Sequence, residues 1–147
     1  MKLFNQKQLA ITLLGAIAAP FVIFCCLLLG SRYSNLVRVP PALAMHGYGV
    51  LCVSFFAGIQ WGIHFCKRTE DSVYLLSFFT LVLAWLSLLG PGTTAGLSTL
   101  LVAFILSWLG EYRLSAQRVT TQWFWQIRCW SMLMIIVSLI LTIGVLA

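Results

Sequence analysis

The stretch Ala42–Phe65, ALAMHGYGVLCVSFFAGIQWGIHF, decides the fold. It contains no Lys, Arg, Asp or Glu. A bilayer core roughly 30 Å thick takes about 17–25 helical residues to span, and this stretch has that length. The strict alternation that marks a membrane strand is missing. A helix satisfies its own backbone hydrogen bonds in lipid, so the stretch reads as a transmembrane helix.

Four further apolar stretches flank it: Leu9–Leu29, Val73–Leu89, Thr94–Leu109 and Cys129–Leu146. The third and fourth of the five are at or below the spanning minimum. The uncharged turn Gly90-Pro91-Gly92 between them can sit among headgroups and lend length to both. Composition agrees. The chain is 61% hydrophobic and 8% charged, with 9 basic and 3 acidic residues among 147. An ordinary globular chain is about 25% charged. A soluble domain of this size could not cover its surface with so few charges. The expected fold is therefore an all-α, five-helix transmembrane bundle forming one membrane domain over residues 1–147, without repeats or a linker.

The helix breakers support this count. Gly30-Ser31 closes the first helix, and Pro40-Pro41 suits the first turn of the second. Pro20 lies inside the first helix, where its missing N–H and its ring predict a kink. Lys2 and Lys7 before an apolar run, with Ala16-Ile17-Ala18, resemble a cleaved signal. That run is longer than the usual 7–15 residues and continues through Phe21-Val22-Ile23-Phe24, so the first span is read as retained.

Between the fourth and fifth spans, Ala116, Val119, Trp123, Ile127 and Trp130 recur at spacings of three and four. Gln117, Arg118, Thr121, Gln122 and Arg128 fall largely elsewhere. This predicts a short interfacial amphipathic helix over about 116–128, with Trp123, Trp125 and Trp130 in the aromatic belt and the arginines among anionic headgroups.

Orientation follows from the basic residues. Lys2, Lys7, Lys67, Arg68, Arg113, Arg118 and Arg128 fall on one side, and Arg32 and Arg38 on the other. The positive-inside rule then places the N-terminus in the cytoplasm and the C-terminus outside. Glu70, Asp71 and Glu111 share the cytoplasmic side.

Within the spans no Lys, Arg, Asp or Glu is found, so the bundle interior is expected to hold no ionised group. That argues against pumps, ion-coupled carriers and intramembrane enzymes, which need charge at depth. His46 and His64 share a helix face but stand about 27 Å apart along the axis, too far to share a metal or haem. Cys25, Cys26, Cys52, Cys66 and Cys129 form no ligand-spaced set, and no metal or other cofactor is expected. No catalytic residues are assigned. The basic residues follow the loops rather than one surface, so nucleic acid is not an expected partner. The expected partners are the lipid bilayer and either another membrane protein or further copies of the chain.

Packing leaves the clearest pattern. Ser54, Gly58 and Gly62 recur every four residues on the second helix, as do Ala95, Thr99, Ala103 and Ser107 on the fourth. Such stripes allow close helix approach, either to each other or to another protomer. Beside them Gln60, Trp61 and His64 form a polar and aromatic group. They are the candidate site for a weakly polar ligand, against the simpler reading that Gln60 bonds across helices.

At these residues the chain resembles a family of small bacterial inner-membrane proteins known as domain of unknown function 3429, which has a mitochondrial relative, transmembrane protein sixty-nine. The resemblance lies in Leu14-Gly15 with Pro20-Phe21, in Tyr48-Gly49 followed by Ser54-Phe55-Phe56-Ala57-Gly58-Ile59-Gln60-Trp61-Gly62, and in Ser72-Val73 with Ala84-Trp85. Ala57 stands where the family signature has glycine. The resemblance implies a five-helix protein of the bacterial inner membrane and brings no activity, cofactor or catalytic residue. Two functions are expected to compete: an interaction or complex-accessory role through small-residue helix faces, and binding or transport of a quinone or lipid near Gln60.

Overall fold

The computed structural model describes residues 6–30, 40–67, 71–118 and 120–147. Of the residues used in the charge and periodicity reading, Lys2, Arg32, Arg38, Arg68, Glu70 and Val119 lie outside that set. The described residues form five helices and no strand: α1 Gln6–Gly30, α2 Pro41–Lys67, α3 Asp71–Ser87, α4 Thr94–Ala116 and α5 Gln122–Leu146. All but α3 are long and apolar enough to cross a bilayer. The protein is an all-α multi-pass membrane bundle. With 17 residues α3 is short, and the turn after it adds length. There Leu88 N–H donates to the Trp85 carbonyl at 3.0 Å and Gly90 N–H to that of Ser87 at 3.2 Å.

Local chemistry sets the helix starts. Pro40 accepts from the Leu43 and Ala44 amides at 3.0 and 3.1 Å, and Pro41 takes the first helical position, where no N–H is needed. Thr93 caps α4 by accepting from Gly96 N–H at 3.1 Å. Pro20 lies inside α1, which continues to Gly30.

Neighbouring helices pack in the ring order α1, α5, α4, α3, α2 and back to α1, with α2 and α4 also touching across the ring. These two are the most enclosed, 44% of the apolar window being buried in each against 22% in α1. Their buried stripes explain this. On α2 it comprises Met45, Gly49, Cys52, Val53, Phe56 and Gln60, and on α4 Leu97, Leu100, Ala103, Phe104, Ser107 and Glu111. Both follow the three-and-four spacing of a helix face. Phe21 of α1 reaches between them, edge-on to Phe104 at 5.7 Å and 5.4 Å from the Tyr48 ring. Tyr48 also donates its hydroxyl to the Ile17 carbonyl at 3.1 Å. Lipid is as apolar as these side chains, so close contact and polar links, rather than escape from water, hold such helices together.

One element differs from expectation. The helix foreseen over 116–128 is not separate. Helix α4 runs on to Ala116, a short link follows, and from Gln122 the chain already belongs to α5. Trp125 N–H bonds to the Thr121 carbonyl at 3.1 Å as the ladder begins. A break near 128 would leave the end groups of two helices unsatisfied at the bilayer edge, whereas one continuous ladder leaves none there. Two residues also exchange places relative to the expected faces. Arg128 is 5% exposed, while Trp130 is 71% exposed.

Candidate functional site

Gln60 opens the site. It lies near the C-terminal end of α2 and is buried. Its side-chain amide joins three helices. Nε2 donates to the Ser107 carbonyl of α4 at 2.9 Å, and Oε1 accepts from the Ser77 hydroxyl of α3 at 2.6 Å. A Cβ on Gly110 would lie 2.9 Å from Gln60 Oε1, so a glycine one turn beyond Ser107 makes room for the amide. Gln60 thus serves as a cross-helix link.

One turn further along α4 stands Glu111, 8% exposed. It meets Arg128 of α5 in a two-point ion pair. Arg128 Nε donates to Oε2 at 3.0 Å, and Nη2 faces Oε1. The guanidinium carbon lies 4.0 Å from the centre of the Phe56 ring of α2, so the cation also has an aromatic face against it. This corrects the expectation that the interior holds no ionised group. Thr94–Leu109 was too short a span, and the turns that complete it bring in Glu111. The start of α5 brings in Arg128. The case against pumps, carriers and enzymes cannot rest on an uncharged interior. What remains is that these charges are paired, and breaking such a pair typically costs about 3–5 kcal/mol.

A cavity of about 40 Å³ opens beside the pair, lined by Gln60, Glu111, Thr120, Phe124, Trp125 and Arg128 among others. A water needs roughly 10–15 Å³ on this measure, so a few waters or the tip of a polar group fit. Pockets for whole organic ligands are usually about 300–1,000 Å³.

Trp61 and His64 do not join Gln60. They pack on Tyr74 of α3, with ring centres 5.0 and 5.2 Å away and planes tilted by 36° and 31°. Gln60 points to the interior, and its two sequence neighbours in the candidate site form an aromatic stack beside it.

The two small-residue stripes are not brought face to face along their length. A Cβ on Gly58 or Gly62 would meet nothing within 4 Å, and both glycines are exposed. Ser54 is half-buried and returns its hydroxyl to the Val50 carbonyl at 2.8 Å. On α4, Ala103 and Ser107 are buried, Thr99 is half-buried with its hydroxyl on the Ala95 carbonyl at 3.0 Å, and Ala95 is exposed. The glycines in close contact are others: Gly49 against Leu100, Gly96 against the Gly90 carbonyl and His46, and Gly110 against Gln60.

At the opposite end of α2, His46 is fully buried. Its Nδ1 accepts from Gly92 N–H at 3.1 Å, so Nε2 carries the proton and donates to Ser87 Oγ at 2.9 Å. Ser87 donates its own hydroxyl hydrogen bond to the Ala84 carbonyl at 2.7 Å. Gly92 has φ of +72°, the left-handed conformation that glycine adopts without steric cost, and Pro91 precedes it in the tight turn. Among the described residues no group of three His, Cys, Asp or Glu could hold a metal ion.

The site residues missed from sequence are Ser77, Gly110, Glu111 and Arg128. Length was the available signal for Glu111, since the short span Thr94–Leu109 must extend to reach the headgroups, and Arg128 directly precedes the fifth stretch. Ser77 and Gly110 gave none, because they act only through their position opposite Gln60.

A family model described as "Protein of unknown function (DUF3429)" matches residues 5–144. No curated protein and no solved structure matches the chain.

Proposed function

We propose that this chain, which belongs to the DUF3429 family of proteins of unknown function, acts as an interaction protein of the bacterial inner membrane, binding a helix of another membrane protein along the outer face of α2. The observation that carries this reading is the open surface at Gly58 and Gly62. Two glycines one turn apart let a foreign helix backbone approach closely, and lipid chains gain less from such a surface. Leu51 and Phe55, 69% and 58% exposed, continue the face toward the middle of the helix. Inside the bundle Gln60 and the Glu111–Arg128 pair join helices to one another, which favours a partner outside over chemistry within.

Purification in mild detergent, with Gly58→Ile and Gly62→Ile for comparison, tests this. We expect wild type to retain a partner that crosslinks through α2, and the variants to lose it while folding normally. Self-crosslinking alone would mean that the partner is a second copy. A monomeric wild type without a partner would overturn the proposal.

The competing role, binding a quinone or lipid at Gln60, Trp61 and His64, has less support. Gln60 uses both amide atoms within the bundle, and the cavity beside it takes only a few waters. Quinone retained by native protein and lost on Gln60→Leu would restore it. The cytoplasmic N-terminus and external C-terminus remain the orientation we propose. Reporter fusions at Glu70 and after Ala147 should read cytoplasm and exterior, and the reverse pattern would refute it.

A further inference from the structure

The α4–α5 hairpin has more hydrogen-bond donors than the described residues answer. Arg128 carries five N–H donors. Glu111 takes the Nε edge, Phe56 lies against one face of the guanidinium, and Nη1 has no acceptor among the described residues. The cavity borders this side chain, which is 7% exposed. Helix α5 begins beside it. Its cap residue Thr121 makes no side-chain hydrogen bond to the first turn, so the amide donors there have no side-chain cap among the described residues. Thr120, Phe124 and Arg128, at helical spacing, line the same cavity. Arg118 in the link has φ of +55°, an unusual backbone state for a side chain of its size.

Trp125 is shared between this cavity and an apolar bay of about 430 Å³ lined by Trp108, Leu109, Tyr112 and Trp125. The Trp108 indole N–H, on the wall of that bay, has no acceptor among the described residues. Glu111 lies five residues before the end of α4, about 8 Å along the axis from that helix end. A group so near the end of a spanning helix is within reach of lipid headgroups.

The geometry points to a binding site for an anionic phospholipid on this hairpin. One phosphate oxygen enters the cavity to meet the free Arg128 edge and the start of α5, and an acyl chain lies in the aromatic bay. The chemistry recognised is a phosphate oxygen. The bay selects a lipid over free phosphate, because 430 Å³ bordered by two indoles and a phenol suits a hydrocarbon chain. Glu111 tempers the site, since its carboxylate neutralises part of the cation that the phosphate seeks.

That opposition supplies the test. The full chain in non-ionic detergent is titrated with phosphatidylglycerol, phosphatidylcholine and inorganic phosphate, with tryptophan fluorescence and native mass spectrometry as readouts. We expect phosphatidylglycerol to be retained, phosphatidylcholine to bind at least fivefold more weakly (about one basic contact), and inorganic phosphate not to saturate. Glu111→Gln removes the competing carboxylate and should tighten phosphatidylglycerol about fivefold, although it weakens the fold. A purely structural ion pair would not give this opposite sign. The paired variant Glu111→Gln/Arg128→Gln keeps neutral amides at both positions and should lose the preference. Trp125→Leu, outside the ion pair, should weaken phosphatidylglycerol even if the other variants fail to fold. Equal affinity for both lipids, saturation by inorganic phosphate alone, or no effect of Trp125→Leu would each overturn the proposal.

Discussion

The two ends of α2 solve one problem in different ways. Each sends a polar side chain from α2 to α3 and to the chain beyond it. At the His46 end the second contact is the backbone of the tight turn, and both ring nitrogens are used. Gly96 brings the start of α4 so close to Gly90 that no Cβ would fit between them. At the Gln60 end the link continues into a buried ion pair with space beside it and donors left over. The difference teaches that polar groups in a membrane bundle either close a seam or hold a place open. Geometry at the neighbouring backbone decides which.

Several substitutions would break or sharpen that contrast. The largest effect is expected at the open end, from Arg128→Leu. It leaves Glu111 buried without its partner and should cost about 3–5 kcal/mol, measured as thermal or denaturant unfolding in detergent. Replacing both members of the pair, as Glu111→Leu with Arg128→Leu, should recover much of that loss. Failure to recover would mean that the cavity, and not the charge, sets the stability there.

At the closed end, Gly96→Ala drives a methyl group against the Gly90 carbonyl and the His46 ring. The expected cost is about 1–3 kcal/mol or more, again by unfolding, because backbone stands in the way. His46→Leu should cost about 1–3 kcal/mol by leaving Ser87 Oγ and the Gly92 amide without their bonds. A neutral result would show that the turn closes without the histidine.

Gln60→Leu should be milder than either loss, about 1–2 kcal/mol, since interhelical hydrogen bonds in membranes are individually modest. The smallest effect lies outside both regions. Gly62→Leu faces open surface, so the monomer's stability should stay within about 0.5 kcal/mol of wild type. A marked loss would mean that the outer face of α2 packs within the chain after all.

Much of the fold was legible because bilayer thickness acts on length and composition alone. Five apolar stretches became five helices, and the breakers at Pro40-Pro41 and Gly90-Pro91-Gly92 lie where chains turn. Gln60 was visible as a polar residue in an apolar run. Its partner Ser77 was not, and Ser107 stood out only as part of the α4 stripe, because intramembrane serines are common and usually bond back to their own helix. Ser54, Ser98 and Ser138 do so here. The glycine pattern left its partner open for a related reason. Gly58 and Gly62 have the spacing of a packing seam, yet spacing fixes only which residues share a face, not what that face meets.

The sequence by itself determined the solvent, the secondary structure and the number of helices. Each follows from how much apolar surface a segment carries and from the need to satisfy its backbone in lipid. Only the tertiary structure decided which charges are buried. Glu111 and Arg128 lie on opposite sides of a loop, and either alone would be too costly to bury at the bilayer edge. Placed across the hairpin from each other, with Phe56 against the cation, they neutralise one another inside the bundle. That cancellation depends on distance in space, which no reading along the chain contains.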